Sequence, residues 1–163
     1  AASALSRHYP GGMPAFVAAM NSRAASLGMH DTHYVEPTGL SSDNRSSARD
    51  LSVLVRATSA HKLIRDLSTT HDAQVAVGAR QVQFRNTNRL VSDPSWDIVL
   101  QKTGYISAAG RCLVMQAQLA GRKLTMVLLD SAGKYSRLGD AERIRQWLTN
   151  SDGSTGIVSS AVR

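Results

Sequence analysis

The segment LQKTGYISAAGRCLVMQAQLAGRKLTMVLL, residues Leu100–Leu129, decides the predicted fold. Apolar and polar residues alternate through RCLVMQAQLAG and KLTMVLLDS, and this two-residue period is typical of strands with one buried face. A turn at Ala120-Gly121-Arg122 joins the two, and WDIVLQKTG precedes them after the turn Asp93-Pro94. The pattern therefore predicts three consecutive antiparallel strands. In the middle strand it places Leu113, Met115, Ala117 and Leu119 on one face and Cys112 and Val114 on the other.

Helices and a hairpin surround these strands in the sequence. Four helices are predicted upstream: Ala1–Arg7, ending at the turn Tyr9-Pro10-Gly11-Gly12; one from about Pro14 to Gly28; one capped by Ser46 or Ser47; and a short one over His61–Leu67. QVAVGARQVQFRN alternates with period two about Gly78-Ala79, which predicts a hairpin. A closing helix is predicted over Leu138–Leu148, with Ile144, Trp147 and Leu148 facing inward. This order predicts an α+β fold, an antiparallel sheet flanked by helices.

The composition is that of one globular domain with a basic surface. A chain of 163 residues, 42% hydrophobic and 19% charged, is long enough to bury a core, and its net charge of +7 favours an anionic partner. The basic residues are scattered, without a long run or interleaved aromatics, so no nucleic-acid partner is expected. No apolar run reaches the length of a transmembrane segment, and the first residues lack the pattern of a signal peptide.

Several reactive or aromatic residue types have ordinary structural interpretations. His30 and His33 lie three apart in a polar loop and His61 and His71 are isolated, so no metal site is expected. Cys112 is the only cysteine, which excludes an internal disulfide, and its place on a strand favours a small core residue. Trp96 and Trp147 are predicted to be packing anchors.

The tripeptide Lys102-Thr103-Gly104 has the chemistry of a peptide-binding strand. A lysine offers a compact cation and a threonine offers a hydroxyl, and together they suit a substrate carboxylate. A glycine has no Cβ, so a peptide can lie against the strand and pair with its main chain. The amide of Tyr105 can then point at a carbonyl oxygen, as half of an oxyanion hole. The tripeptide alone is common in turns and indicates little.

Three ordered blocks carry a resemblance to a known family. They are FVAAMNSRAASLGMHDTHYVEPTGLSSDNRSSARDLSVL at residues 16–54, RNTNRLV at residues 85–91, and the segment quoted first. With Lys-Thr-Gly, which belongs to the signature of penicillin-binding proteins, they resemble the low-molecular-mass penicillin-binding proteins, the D-alanyl-D-alanine carboxypeptidases and endopeptidases. HYPGG, residues 8–12, is most similar to the endopeptidase branch. The resemblance implies a β-lactamase/transpeptidase-like fold, an antiparallel sheet sandwiched by helices, with the active site facing a second helical lobe.

The resemblance also implies roles for particular residues. Lys102, Thr103 and Gly104 become the third family motif on the cleft strand, and Tyr105 supplies an oxyanion amide. Some relatives have Asn-Arg-Asn before this strand, with the arginine helping to hold the substrate carboxylate. The matching tripeptide here is Asn86-Thr87-Asn88, which makes Thr87 and Asn88 substrate-binding candidates but removes the charge. Arg89 is adjacent but not equivalent, so the pattern weakens the expected carboxylate contact and favours endopeptidase activity.

The other two family motifs are not expected within this chain. In the family, Ser-x-x-Lys, whose serine is the nucleophile, precedes Ser-x-Asn, which precedes Lys-Thr-Gly. Three stretches imitate them, Ser42-Asp43-Asn44, Ser59-Ala60-His61-Lys62 and Ser131-Ala132-Gly133-Lys134, but their order is wrong and chance explains them. Turn formation accounts for Asp43 and Asn44. We therefore expect residues 1–149 to be the C-terminal part of an incomplete catalytic domain, 150–163 to be a flexible Ser/Gly-rich tail, and no nucleophile to be present in this chain.

The resemblance implies a periplasmic serine-type DD-peptidase, exported from a bacterium. It would acylate its serine with a peptidoglycan peptide, pass the acyl group to water, and be trapped by β-lactams. No cofactor is expected. The chain alone is expected to be inactive, and the N-terminal fragment of the same enzyme is a candidate partner. The alternative is a non-catalytic cell-wall module that binds peptides along the same strand.

Overall fold

The computed structural model describes the backbone of residues 2–154 and the side chains of residues 2–150. Its elements, in order, are α1 (Ala2–Arg7), α2 (Gly12–Ser26), α3 (Ala48–Thr58), α4 (Lys62–Thr69), β1 (Asp72–Val77), β2 (Arg80–Arg85), a 3-10 turn (Arg89–Ser92), β3 (Asp97–Ile106), β4 (Gly110–Leu119), β5 (Arg122–Ser131) and α5 (Ser136–Ser154). The α+β class is confirmed.

The three predicted strands form one antiparallel sheet in the order β3-β4-β5. Alternation on the central strand is as predicted: Leu113 and Met115 are fully buried, whereas Cys112 and Val114 are half-buried. The buried face of β4 packs with Trp96 and with Ala141 of α5 in a single core cluster. This packing fixes α5 against one face of the sheet.

A second helix covers the same strands. α3 contacts β4 and β5, and Val55 on α3 is buried but does not belong to the cluster under α5. The sheet is therefore flanked by helices, as predicted. Ser47 caps α3, since its side chain accepts a hydrogen bond from the Asp50 amide at 3.2 Å.

The predicted hairpin is confirmed and stands apart from the larger sheet. β1 and β2 pair in register from Asp72↔Arg85 to Val77↔Arg80, and they form their own two-stranded sheet. Almost every residue of both strands is exposed. The hairpin therefore contributes little to the core; its role is to deliver the residues that follow Arg85 to the edge of β3.

Three predictions about side chains and helix ends need correction. Trp147 is 66% exposed. The residues of α5 that pack on the sheet include Ala141 and Ile144, and Trp147 lies beside this stripe and not within it. Cys112 is half-buried on the far face of β4 and does not belong to the core cluster. α5 continues to Ser154. The rest of the predicted tail, 155–163, lies outside the described residues. Within residues 2–154, no helix has the length and apolar character needed to cross a membrane.

Candidate active-site cleft

A cleft of about 710 Å³ runs along the outer edge of β3. One wall is the sequence-predicted strand segment, residues 102–105. The opposite wall is the 34–44 loop, which connects α2 to α3, and Arg111 and Arg137 lie at one end. The structure therefore brings Lys102, Thr103, Gly104, Tyr105 and Thr87 into one cavity.

Thr87 is joined directly to the Lys-Thr-Gly strand. Its hydroxyl lies 2.6 Å from the hydroxyl of Thr103, and either oxygen can be the donor. Both residues line the cleft. One of the two hydroxyl protons is used in this hydrogen bond, so the pair has one O–H left to donate to an incoming carboxylate.

The two asparagines on either side of Thr87 are structural. The Asn86 amide donates to the carbonyl oxygens of Ser68 at 3.1 Å and Thr70 at 3.0 Å, and its oxygen accepts from Gln101 Nε2 at 3.0 Å. These bonds tie the segment after the hairpin to the end of α4 and to β3. They fix the backbone that presents Thr87.

Asn88 does not reach the cleft, which corrects its prediction as a substrate contact. Its side chain is fully buried, its oxygen accepts from the Leu90 amide at 3.2 Å, and its amide lies 3.9 Å from Met115 Sδ. The motif match places this segment beside the cleft strand, where Thr87 lines the cavity. It could not show that alternate side chains point in opposite directions, Thr87 into the cleft and Asn88 into the core.

Gly104 is not required by the fold. Its backbone is not in the left-handed region, and an added Cβ would make only an ordinary 3.9 Å contact with Cys112 Cβ. A side chain here would therefore be tolerated by the sheet. What the glycine provides is open space along the strand, where a peptide backbone can approach. Beside it, Lys102 is exposed, and its ammonium donates to the Thr103 carbonyl oxygen.

Tyr105 carries a cation on its ring. The Arg111 guanidinium lies 4.4 Å from the ring centroid, and both residues line the cleft. This contact holds Arg111 at the end of the cavity, since a guanidinium over an aromatic face is attracted to it.

Asparagine side chains hold the opposite wall. Asn21 of α2 donates to the Tyr34 carbonyl oxygen at 2.7 Å and accepts from the Tyr34 amide at 2.8 Å. Asn44 accepts from the Val35 amide at 2.7 Å. Burial, together with the nearby negative charge of Asp50, raises the pKa of Tyr34, so its phenol is neutral.

Glu36 organises the tip of the 34–44 loop. Its carboxylate accepts from the Leu40 amide at 2.9 Å and from the Asn44 side chain at 2.7 Å, and also from the Thr38 hydroxyl. Desolvation alone raises the pKa of this carboxyl, but the hydrogen bonds from Thr38, Ser41 and Gly39 outweigh it and lower the pKa to about 2. The loop is therefore built around an ionised carboxylate.

Arg137 is the site residue that the sequence did not single out. It is the second residue of α5, is only 7% exposed, and lines the cleft. Its Nε and Nη1 have no hydrogen-bond partner among the described residues. A buried cation without a partner is costly and indicates a missing anion. One local signal was available: an arginine in the first turn of a helix is disfavoured by the helix dipole.

The three imitation motifs do not assemble a nucleophile. Asn44 is used by the loop, Ser59 ends α3 with its hydroxyl bonded to the Arg56 carbonyl oxygen, and Lys62 pairs with Asp66. The two stretches that imitate Ser-x-x-Lys, residues 59–62 and 131–134, contribute no residue to the lining of the cleft. Among the side chains of residues 2–150, no three histidine, cysteine or acidic residues are grouped to hold a metal ion.

Comparisons with known proteins agree with the resemblance identified from the sequence. A family model described as D-alanyl-D-alanine carboxypeptidase matches residues 1–133. D-alanyl-D-alanine endopeptidases of Escherichia coli and Pseudomonas aeruginosa are each 47% identical over 150 residues, which is 91% of this chain and 48% of theirs. The chain thus spans about half the length of these curated relatives. The crystal structure of a Streptomyces DD-transpeptidase matches with a TM-score of 0.81 and 28% identity, covering 90% of this chain and 60% of that one.

The ionised Glu36 predicts a pH-dependent loop. Because its folded pKa lies below that of an unfolded carboxyl, its contribution to stability is complete above about pH 4.5 and is lost as the pH falls toward 2. We expect Glu36→Gln to lower the free energy of unfolding at pH 7 by about 1 kcal/mol and to flatten its pH dependence below pH 4.5. Urea unfolding between pH 2 and 7 measures both effects.

Asp43→Asn is the control for this experiment. It removes a carboxylate from the same loop, but no described residue donates a hydrogen bond to that carboxylate. An equal loss of stability in the two variants would show that the loop responds to net charge and not to the hydrogen bonds of Glu36.

Proposed function

Because the chain belongs to the D-alanyl-D-alanine carboxypeptidase family, we propose that it forms the substrate-binding wall of a serine-type DD-peptidase of the periplasm. Its substrate would be a peptidoglycan peptide, cleaved through an acyl-enzyme. The observation that carries this proposal is the cavity in which an open Lys-Thr-Gly strand edge meets a buried arginine without a partner.

The strand edge suits an extended peptide. In the part of the chain that the structure describes, β3 pairs with β4 on one side only, and its other edge borders the cleft. A peptide added here would form main-chain hydrogen bonds to β3 and would pass over Gly104 without a steric clash. The Tyr105 amide would donate to the carbonyl oxygen under attack, where negative charge develops.

The donors at the end of the cleft suit the substrate carboxylate. The hydroxyl pair of Thr87 and Thr103 offers one hydrogen bond. The Arg137 guanidinium offers a charge and the N–H groups of two nitrogens, Nε and Nη1, that have no partner among the described residues. Arg137 therefore supplies the charge that a threonine at position 87 cannot. This supports activity on substrates with a carboxylate next to the scissile bond, which the sequence pattern had made doubtful.

The nucleophile would come from outside this chain. We propose that residues 1–149 are the C-terminal part of the catalytic domain and that the serine and its lysine base belong to the part of the relatives that this chain does not cover. The coverage of 48% of the curated endopeptidases supports this division. An N-terminal fragment of the same enzyme would be the natural partner, and β-lactams would acylate only the combined site.

A fluorescent penicillin tests this division of the site. We expect no covalent label on the 163-residue chain, and one label on the protein in its full natural length, because the attacking serine is outside this chain. Intact mass spectrometry after incubation measures both. Labelling of the isolated chain would instead point to Ser59 as the nucleophile. A full-length protein that bound peptide without ever being labelled would be the non-catalytic module.

Gly104→Ala tests the peptide path along β3. We expect kcat/KM for a D-alanyl peptide to fall roughly tenfold or more in the full-length enzyme, because the new methyl group occupies the space of the peptide. The free energy of unfolding should change by less than about 1 kcal/mol, since the added Cβ meets only an ordinary contact.

Gly139→Ala is the matched control for this substitution. Gly139 lies on α5, has no left-handed backbone, and its added Cβ would meet only the flexible end of Arg143 at 3.5 Å. This variant should retain activity. Full activity of Gly104→Ala would contradict the proposed peptide path.

Arg137→Met separates binding from folding. We expect kcat/KM for a peptide with a free carboxylate to fall roughly 10- to 100-fold in the full-length enzyme, with a smaller loss for the carboxamide analogue. The free energy of unfolding of the same variant should rise by about 1 kcal/mol, because an unpaired buried charge is replaced by an apolar group. Its unfolding temperature should rise accordingly. Arg137→Lys should restore part of the preference for the free carboxylate over the carboxamide. Destabilisation together with unchanged discrimination would assign Arg137 a structural role.

A further inference from the structure

A second cavity, of about 740 Å³, adjoins the cleft and shares Thr87, Arg111 and Arg137 with it. It lies between the segment after the hairpin and the start of α5. The cations that line it are Arg85, Arg89, Arg111, Lys134 and Arg137, and the only acid in its lining is Asp72. We call this cavity the cationic pocket.

The cations of this pocket have no ion-pair partner among the described residues. Ion pairs among the described residues include those of Lys62, Arg143 and Arg145, and none includes a cation of the pocket. Arg137 is more than nine-tenths buried, and two of its nitrogens have no hydrogen-bond partner. Like charges gathered in one concave site repel each other, and the walls of a cleft strengthen the resulting field. The pocket is therefore suited to an anion.

Tyr135 orders two of these cations. The Arg89 guanidinium lies 5.2 Å from the centroid of its ring, and the Lys134 ammonium lies 5.5 Å from it. Tyr135 is half-exposed and lines the pocket with them. Contacts to an aromatic ring restrict long side chains that would otherwise move freely in solvent. Two charges of the pocket are thus held in place before a ligand arrives.

We propose that the cationic pocket binds a second carboxylate of an acidic peptide substrate, located beyond the scissile bond on the side of the leaving amine. The inference rests on the proposed function and extends it. Arg137 borders both cavities, and in the proposed function it holds the carboxylate of the residue whose amine leaves. A peptide that continues past that residue passes Arg137 and enters the cationic pocket.

The position of the pocket favours a peptide over a phosphate polymer. The pocket adjoins the cleft and shares Thr87, Arg111 and Arg137 with it, so a ligand that lies along β3 can continue toward the pocket. A long polyanion would instead need a basic stripe across the surface, and the basic residues elsewhere are scattered. The pocket would thus select cross-linked peptides, whose leaving strand is long, over peptides that end one residue past the scissile bond.

Matched peptides test the inference on the full-length enzyme. The two substrates have the same leaving strand and the same carboxylate next to the scissile bond. They differ at one further position on the leaving strand, where one peptide carries a carboxylate and the other a carboxamide. We expect kcat/KM to favour the carboxylate peptide roughly tenfold at low salt, and this preference to shrink as salt screens the charges. In Arg89→Gln/Lys134→Gln the preference should fall to about one.

Two further variants control for charge and for folding. Arg80→Gln/Lys123→Gln removes the same number of charges from exposed positions outside both cavities and should keep the preference. Arg89→Lys/Lys134→Arg keeps both charges and should keep most of it. Loss of the preference in either control would contradict a specific role for the pocket.

Binding of the acidic leaving-strand peptide separates this inference from the proposed function. Calorimetry on the full-length protein should show tighter binding of the carboxylate peptide than of the carboxamide, and loss of that difference in Arg89→Gln/Lys134→Gln.

Equal cleavage and equal binding of the two peptides would contradict the proposed role of the cationic pocket but would leave the proposed peptidase activity intact. Failure to cleave either peptide, with the binding difference preserved, would overturn the peptidase alone. If the double variant lost only inorganic polyphosphate binding, the pocket would belong to a phosphate polymer and the inference would be wrong.

Discussion

The hydroxyl contact between Thr87 and Thr103, at 2.6 Å, joins the two parts of the polypeptide from which the site is built. One part is the edge strand β3, and the other is the segment that leaves the hairpin. Asn86 holds that segment to α4 and β3 from one side, and Asn88 holds it in the core from the other. Because Thr87 borders both cavities, this contact fixes where the cleft ends and where the cationic pocket begins.

The cleft holds charge that the fold does not need. Arg137 is buried without a partner, and burying an unpaired charge destabilises a protein. The apolar layer between β4 and α5, with Leu113 and Met115 fully buried, supplies stability beside it. α5 thus has two roles in adjacent turns: Ala141 packs on the sheet, and Arg137 is held at the end of the cleft. Stability and function are separated by position along one helix.

Local patterns predicted most of the fold and one wall of the site. The strands of residues 97–131 and the hairpin about Gly78 follow from alternation and turn residues, which act over a few positions. Trp147, Asn88 and Arg137 were beyond this reasoning, because their burial depends on which elements pack together. A helical period predicts a buried stripe but not its exact width, which is why it predicts an inward Trp147 although that side chain is exposed. Arg137 lies in no motif, and only tertiary packing brings it to Thr103 and Thr87.

The charge at this site is a property of the assembled cavity and not of one motif position. A threonine at position 87 removes a cation from one segment, yet Arg137 places a cation at the same end of the cleft from a different element. The electrostatic field that a carboxylate meets depends on distance and burial, and not on the chain segment that supplies the charge. Arg137 also stands where the two cavities join. A cation held at that junction acts on a terminal carboxylate and on a continuing chain alike, and the length of peptide accepted is then decided by what lies beyond it.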